Sequence, residues 1–139
     1  MPMRLEEAKK MCQAITVATL TATGWKHAME GHYDFNIPGK QPNPEKSYFT
    51  IGTAKTSVDV MGNHILMAIE QHRMHVLKGN ADDANVVMVY RDFRKPIGRS
   101  SNHVDCNIMK VVLGRDEKTK QIFVKSCYPV STITGTDLK

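Results

Sequence analysis

The sequence predicts an α+β fold in which N-terminal helices pack on a C-terminal antiparallel β-sheet. Two observations predict it. In the first half of the 139-residue chain, apolar residues recur at helical spacing. In the second half, short β-rich runs are separated by turn residues, which is typical of strands. Helices followed by strands along the chain favour helices packed on one face of a sheet.

Length and composition predict one domain over residues 1–139. A chain of this length is too short for two independent cores. Hydrophobic residues make up 41% and charged residues 24% of the chain, which excludes a disordered protein and predicts a packed core.

Three helices are predicted in the first part of the chain. The first covers residues 3 to about 20, the second is short and covers 25–31, and the third covers about 57–78. Ser57 or Thr56 can cap the third helix, and Gly79 is expected to end it. Between the second and third helices, residues 36–46 contain three prolines and predict a loop.

The remaining segments favour strands. Residues 47–51 suit either a short strand or an ordered approach to the third helix, and residues 86–90 are rich in valine. A loop is predicted at 95–98, and residues 107–113 and 121–128 flank a polar segment and predict a hairpin.

The net charge and the cysteine usage indicate which partners and which cellular compartment suit this chain. Nineteen Lys and Arg residues against 14 Asp and Glu give a net charge of +5, which is compatible with a polyanionic partner but not diagnostic of one. Cys12, Cys106 and Cys127 have no C-x-x-C spacing, which favours a reducing compartment. No secretory signal and no membrane anchor are predicted, so export would depend on a segment outside this sequence.

Most of the six histidines suit structural or surface positions. His72 and His75 have the i, i+3 spacing of a metal-binding pair in the predicted third helix, but no carboxylate or cysteine stands near enough in sequence to complete a site. His64 lies in the same helix, and His103 is expected at the surface. No metal and no cofactor are therefore predicted.

His27 and His32 suit acid–base chemistry better. Being five residues apart, they do not share a helix face, which argues against a metal pair. A histidine near its free pKa is the usual proton shuttle at neutral pH, and Lys26 would favour an anionic substrate.

The last predicted strand offers hydroxyl groups. Ser126 and Tyr128 alternate along it and should share one face, with Lys125 beside them, while Cys127 should point into the core. Two hydroxyls can hydrogen-bond a phosphate or a base edge. The alternative is that Tyr128 only packs and Ser126 is an ordinary surface residue.

Taken in order, four motifs over about residues 24–130 resemble the RNase A-like toxin domain of bacterial contact-dependent growth inhibition proteins and related polymorphic toxins. The motifs are an H-x4-H pair (His27 and His32), the Ser47-Tyr48-Phe49 segment before a helix, the Pro-x-Gly-Arg turn at 96–99, and a terminal hairpin, 111–116, that closes on Ser126-Cys127-Tyr128-Pro129. Metal-free phage and colicin-type ribonucleases are wider relatives with a similar pairing of motifs.

The resemblance implies a metal-independent endoribonuclease that cleaves RNA by 2′-hydroxyl attack. His27 or His32 would be the acid or base, and Ser126 and Tyr128 would bind the phosphate. The sequence departs from the family in having Ser126 in place of a threonine, and in lacking an arginine between His32 and Phe49. Lys40 or Lys46 would supply that charge as a point donor rather than a planar fork.

The resemblance also implies an RNA substrate, a cognate immunity protein, delivery from a larger secreted or cell-surface protein, and action in the cytoplasm of the target cell. Two alternatives stay open from the residues themselves. One is a non-catalytic RNA- or protein-binding module, and the other is a metal-dependent hydrolase that uses His72 and His75.

Overall fold

The computed structural model describes residues 3–15, the backbone of residues 48–49, and residues 75–139. These segments contain one helix, α1 (Leu5–Ala14), and a mostly antiparallel β-structure in the C-terminal part of the chain. The predicted α+β class, with a C-terminal antiparallel sheet, is therefore confirmed, although the described helix is short. The predicted helix at 25–31 and the predicted loop at 36–46 lie outside the described residues.

The main sheet has five antiparallel strands: β2 (His75–Asn80), β3 (Asp83–Asp92), β6 (Ile108–Arg115), β7 (Ile122–Val130) and β8 (Thr136–Asp137). Their spatial order is β7-β6-β3-β2-β8. The strands β2–β3 and β6–β7 are hairpins, and β3 pairs with β6 across seven register positions. The last strand returns across the sheet to pair with β2 at its edge.

Helix α1 covers one face of this sheet. Ala8, Met11 and Cys12 recur at i, i+3 and i+4, and each is at most 2% exposed. They pack in one cluster with sheet residues such as Val111 and Cys127. Contacts at the surface fix the helix as well, since Arg115 binds the Glu7 carboxylate at 3.1 Å.

The core therefore lies between α1 and the odd-numbered residues of β3 and β6. Val87, Val89, Met109, Val111 and Leu113 are fully buried. Because neighbours along a strand face opposite sides, the even-numbered residues of these strands form the other face of the sheet. That second face carries the candidate site.

A smaller three-stranded sheet has the order β1-β4-β5 and consists of two-residue strands: β1 (Tyr48–Phe49), β4 (Gly98–Arg99) and β5 (Asp105–Cys106). Both β1 and β4 lie beside β7. The loop between β4 and β5 includes Ser100, whose carbonyl and hydroxyl accept backbone hydrogen bonds that fold it into a tight turn.

Strand predictions in the second half are largely confirmed. Residues 86–90 lie within β3, residues 107–113 and 121–128 form the β6–β7 hairpin, and Tyr48–Phe49 is a short strand. The predicted loop at 95–98 is confirmed up to Ile97, because Gly98 begins β4.

The predicted boundaries of two helices are wrong. The helix at 57–78 cannot include its last turn, because residues 75–78 pair with β3 as a strand and Gly79 continues that strand instead of ending a helix. The interpretation of His75 as part of a helical His72/His75 pair is wrong for the same reason; His72 lies outside the described residues. The first helix, predicted to reach about residue 20, ends at Ala14. Ile15 has an extended backbone, with φ −77° and ψ 124°. It is a β-branched residue, a type that is less favourable in a helix.

Candidate functional site

A lysine lies between two tyrosines on the face of the sheet opposite α1. Tyr90 in β3, Lys110 in β6 and Tyr128 in β7 occupy one register row, since Tyr90 pairs with Lys110 and Lys110 with Tyr128. The Lys110 Nζ atom is 5.7 Å from the centroid of the Tyr90 ring and 5.1 Å from that of Tyr128. Both distances suit cation–π contacts, so the ammonium is held between two aromatic faces.

This tyrosine–lysine row lines a pocket of about 330 Å³ that is open to solvent, which we call the Lys110 pocket. Two further segments contribute its walls: the β4–β5 loop and the chain that follows β7. They supply hydroxyl side chains, namely Ser100, Ser101, Ser131, Thr132 and Thr134. Among the described lining residues there is no carboxylate, so Lys110 is the only charged side chain there.

The surroundings of Lys110 favour its charged form. Burial by itself would lower the pKa of this ammonium, but the ammonium donates hydrogen bonds to the hydroxyl oxygens of Tyr128 and Tyr90, and these bonds, together with electrostatic attraction to the same groups, raise the pKa above the ordinary lysine value. Lys110 is therefore a cation throughout the physiological pH range, although it is half-buried.

The chain after β7 completes the pocket by crossing this face of the sheet. The Thr134 and Tyr90 hydroxyl oxygens are 3.3 Å apart, within hydrogen-bond distance. At Gly135 (φ +122°) a Cβ atom would come within 2.8 Å of the Lys78 Cβ and Met88 Cε atoms, so only glycine fits this crossing. Beyond it, Lys78 binds the Asp137 carboxylate and holds β8 at the sheet edge.

The structure confirms that Ser126 and Tyr128 share one face and that Cys127 points into the core. A β-bulge precedes them, because Lys125 lies between register positions and has no partner residue in β6. Tyr128 lines the Lys110 pocket. Ser126 is half-buried next to Val112 on the same face, two residues along the strand, and is not among the described lining residues.

The other predicted site residues, His27, His32, Lys40 and Lys46, lie outside the described residues. Within the segments that are described, no group of three His, Cys, Asp or Glu side chains could hold a metal ion. No helix there is long and apolar enough to cross a membrane. His103 is exposed in the β4–β5 loop, as expected.

Sequence reasoning missed Lys110. A signal was present, since Lys110 interrupts an otherwise apolar run between Met109 and Val111 in the middle of a strand. The alternation places it opposite the core residues. Its alignment with Tyr90 and Tyr128, however, depends on the register between three strands, which the sequence of any one strand does not give.

Comparison of the chain with protein-family models, with curated proteins and with solved structures gave no match in any of the three.

Proposed function

We propose that this chain is a metal-independent endoribonuclease that cleaves RNA, with tRNA as one candidate substrate. The observation that supports it best is the Lys110 pocket, where the Tyr128 side chain and a lysine ammonium line an open depression with no carboxylate among its described walls. Such a site attracts an anionic phosphodiester and offers hydroxyl donors to its oxygens.

The reaction needs no external nucleophile. The 2′-oxygen of the ribose attacks the adjacent phosphorus, the P–O5′ bond breaks, and the products carry a 2′,3′-cyclic phosphate and a free 5′-hydroxyl. A base accepts the 2′-hydroxyl proton, and an acid protonates the departing 5′-oxygen. Groups that stabilise the charge of the pentacoordinate transition state supply the rest of the rate enhancement.

In this proposal Tyr128 donates a hydrogen bond to a phosphate oxygen, Ser126 donates to the substrate on the same face of β7, and His27 or His32 acts as the acid or base. The hydroxyl roles agree with the shared face of Ser126 and Tyr128 in β7. The histidine roles rest on the sequence resemblance alone.

The first experiment incubates total RNA with the protein in excess EDTA. We expect cleavage to persist, to leave 2′,3′-cyclic phosphate ends, and to leave single-stranded DNA intact, because DNA lacks the 2′-hydroxyl. Activity that EDTA abolishes would contradict the metal-free mechanism. A shifted but intact RNA band would support the non-catalytic binding module, for which the same pocket would serve as a phosphate site.

Variants then test the assigned residues. Tyr128→Phe should lower the cleavage rate at least about tenfold while far-UV circular dichroism stays unchanged, because only a hydroxyl is lost. His27→Ala or His32→Ala should abolish cleavage. Full activity in both histidine variants would contradict the acid–base assignment, and full activity in Tyr128→Phe would contradict the hydroxyl role.

The wider biological proposal is a growth-inhibiting toxin with a cognate immunity protein. A ribonuclease that acts on cytoplasmic RNA would poison the cell that makes it, so a tight inhibitor is required. An acidic inhibitor would suit the net charge of +5 and could cover the basic site. Expression of the domain inside bacteria, alone and with the product of the neighbouring gene, tests it: a harmless domain that binds no neighbour product would rule out the toxin.

A further inference from the structure

We infer that the Lys110 pocket is a binding site for a phosphate group and that the Lys110 ammonium is the charge that holds it. Sequence reasoning assigned this role to Lys40 or Lys46. In naming the phosphodiester of RNA as the natural ligand, the inference rests on the proposed function. The phosphate site itself does not, since a binding module or an enzyme for another phosphate ester would use it equally well.

The geometry suits a tetrahedral anion because donors approach from several directions. Lys110 and Tyr128 stand on the sheet, Ser100 and Ser101 come from the β4–β5 loop, and Thr134 comes from the crossing segment. An ammonium has three N–H donors, one of which stays available while Lys110 contacts the two tyrosine hydroxyls, and the hydroxyls of Tyr128, Ser100 and Ser101 add one donor each. A planar carboxylate, with two oxygens, would use fewer of them.

The charge balance also points to an anion. No carboxylate lies among the described walls of the pocket, in contrast to Lys78 on the same face, which is paired with Asp137. The tyrosine rings orient Lys110 without neutralising it, because a ring face carries no net charge. Positioning by two rings reduces the side-chain freedom that a lysine normally loses when it binds a ligand.

The size of the pocket limits the ligand. At about 330 Å³ it lies at the small end of the range for ligand clefts, roughly 300–1,000 Å³. A phosphate and an attached sugar fit that volume. Because the ring faces turned toward Lys110 are already covered by its ammonium, we expect recognition of the phosphate rather than stacking of a base on those faces.

The test separates binding from cleavage. Inorganic phosphate is titrated into the wild-type protein while the lysine Cε–Nζ resonances are followed by NMR, with acetate as the control anion. We expect a saturable shift of the Lys110 resonance with phosphate and a much smaller shift with acetate. No shift with phosphate, or equal shifts with both anions, would overturn the phosphate site without the need for any variant.

A 2′-O-methyl RNA, which cannot be cleaved, then reports on the natural ligand. Lys110→Met should weaken its binding about tenfold or more, and Lys110→Arg should retain part of it, because a charged hydrogen bond is lost in one and kept in the other. Lys118→Met removes the same charge from the exposed β6–β7 turn and should change affinity less than about twofold. Equal effects of Lys110→Met and Lys118→Met would overturn the inference. If the protein binds phosphate but does not cleave RNA, the phosphate site is supported and the proposed ribonuclease activity is refuted.

Discussion

Burial keeps the thiols of this protein protonated. Cys12, Cys106 and Cys127 are each at most 1% exposed. Desolvation raises the pKa of Cys12 to about 12, with a smaller opposing effect from a backbone hydrogen bond, and it raises the pKa of the fully buried Cys127 further still. Thiols in such surroundings are inert as nucleophiles.

These thiols predict a loss of stability at alkaline pH. Their pKa values are raised in the folded state, so the folded protein holds protons that the unfolded chain releases above about pH 9, the ordinary thiol value. The contribution of these thiols to the free energy of unfolding is complete below about pH 9, and it falls as the pH rises toward their pKa values in the folded protein. Urea unfolding at a series of pH values should show a shallower alkaline decline in Cys12→Ala and Cys127→Ala than in the wild type.

Comparing how steeply stability declines with pH in the wild type and in each variant separates the thiol effect from other effects of the substitution. Each alanine substitution creates a small cavity that lowers stability at every pH, so only the change in slope reports on the thiol. Other alkaline titrations, including that of Lys110, are shared by all three proteins. An alkaline slope identical to that of the wild type in both variants would contradict the assigned pKa shifts.

Single residues show where sequence reasoning succeeds. The common face of Ser126 and Tyr128 and the inward direction of Cys127 follow from alternation within one strand, which is a local property. Lys110 was missed because its partners, Tyr90 and Tyr128, are 20 and 18 positions away in the sequence and meet it only through the register of three strands. The pairing of neighbouring strands therefore determines which residues come together in such a site.

Among the elements, the β6–β7 hairpin depends on its turn. The Asp116 carboxylate accepts hydrogen bonds from the backbone N–H groups of Lys118 and Thr119, both at 2.9 Å. The turn closes with Lys120, which has a positive φ of 62° and donates its N–H to the Asp116 carbonyl. The carboxylate therefore offsets the cost of holding a non-glycine residue in the left-handed region.

We predict that Asp116→Ala lowers the urea midpoint, whereas Asp116→Asn retains most of the stability, because an amide oxygen still accepts both hydrogen bonds. Hydrogen bonds from the backbone N–H groups of Thr119 and Lys118 lower the pKa of Asp116. Its stabilising effect is thus present above the ordinary aspartate pKa and is lost as the pH falls through the lower folded-state value. Glu117→Ala, an exposed neighbour, is the control. Equal midpoints for Asp116→Ala and Glu117→Ala would contradict the role of the carboxylate.

Elements also show why the helix prediction failed at residues 75–78. The segment His75–Asn80 has only two apolar residues, the adjacent Val76 and Leu77, which do not distinguish a helix from a strand, and Gly79 matched the usual end of a helix. Pairing with β3 decides the outcome, since Leu77 opposite Val89 packs against the core. The β6–β7 hairpin, by contrast, has two β-rich runs and a polar turn close together in sequence, so its pairing could be predicted locally.

On the scale of the whole molecule, α1 and the sheet share one hydrophobic cluster. Met11 and Cys12 of the helix pack with Val89, Val111 and Cys127 of three different strands. Polar contacts from the N-terminal part of α1 add to this packing. The Leu5 amide donates to the Lys139 carbonyl at 3.1 Å, and Arg115 bridges Glu7 and Asn85. We therefore expect the described helix to unfold together with the sheet and not before it.

This shared core also packs on the face of the sheet opposite the candidate site. Val89 and Val111 of the core are next to Tyr90 and Lys110 of the tyrosine–lysine row, on the opposite face of the same strands. A change that loosens the packing of Met11 would therefore act on the strands that hold the pocket.

Met11→Ala should lower the free energy of unfolding by about 2–5 kcal/mol, because it removes a side chain that is 2% exposed and leaves a cavity. The control is Lys10→Ala, an exposed position in the same helix, which should stay within about 0.5 kcal/mol of the wild type. Urea unfolding should be followed both by far-UV circular dichroism and by the near-UV signal of the tyrosines. We expect the two transitions to coincide and to move together in Met11→Ala, since one core joins helix and sheet. A far-UV transition that moves while the tyrosine transition stays in place would show that α1 packs independently of the sheet that carries the Lys110 pocket.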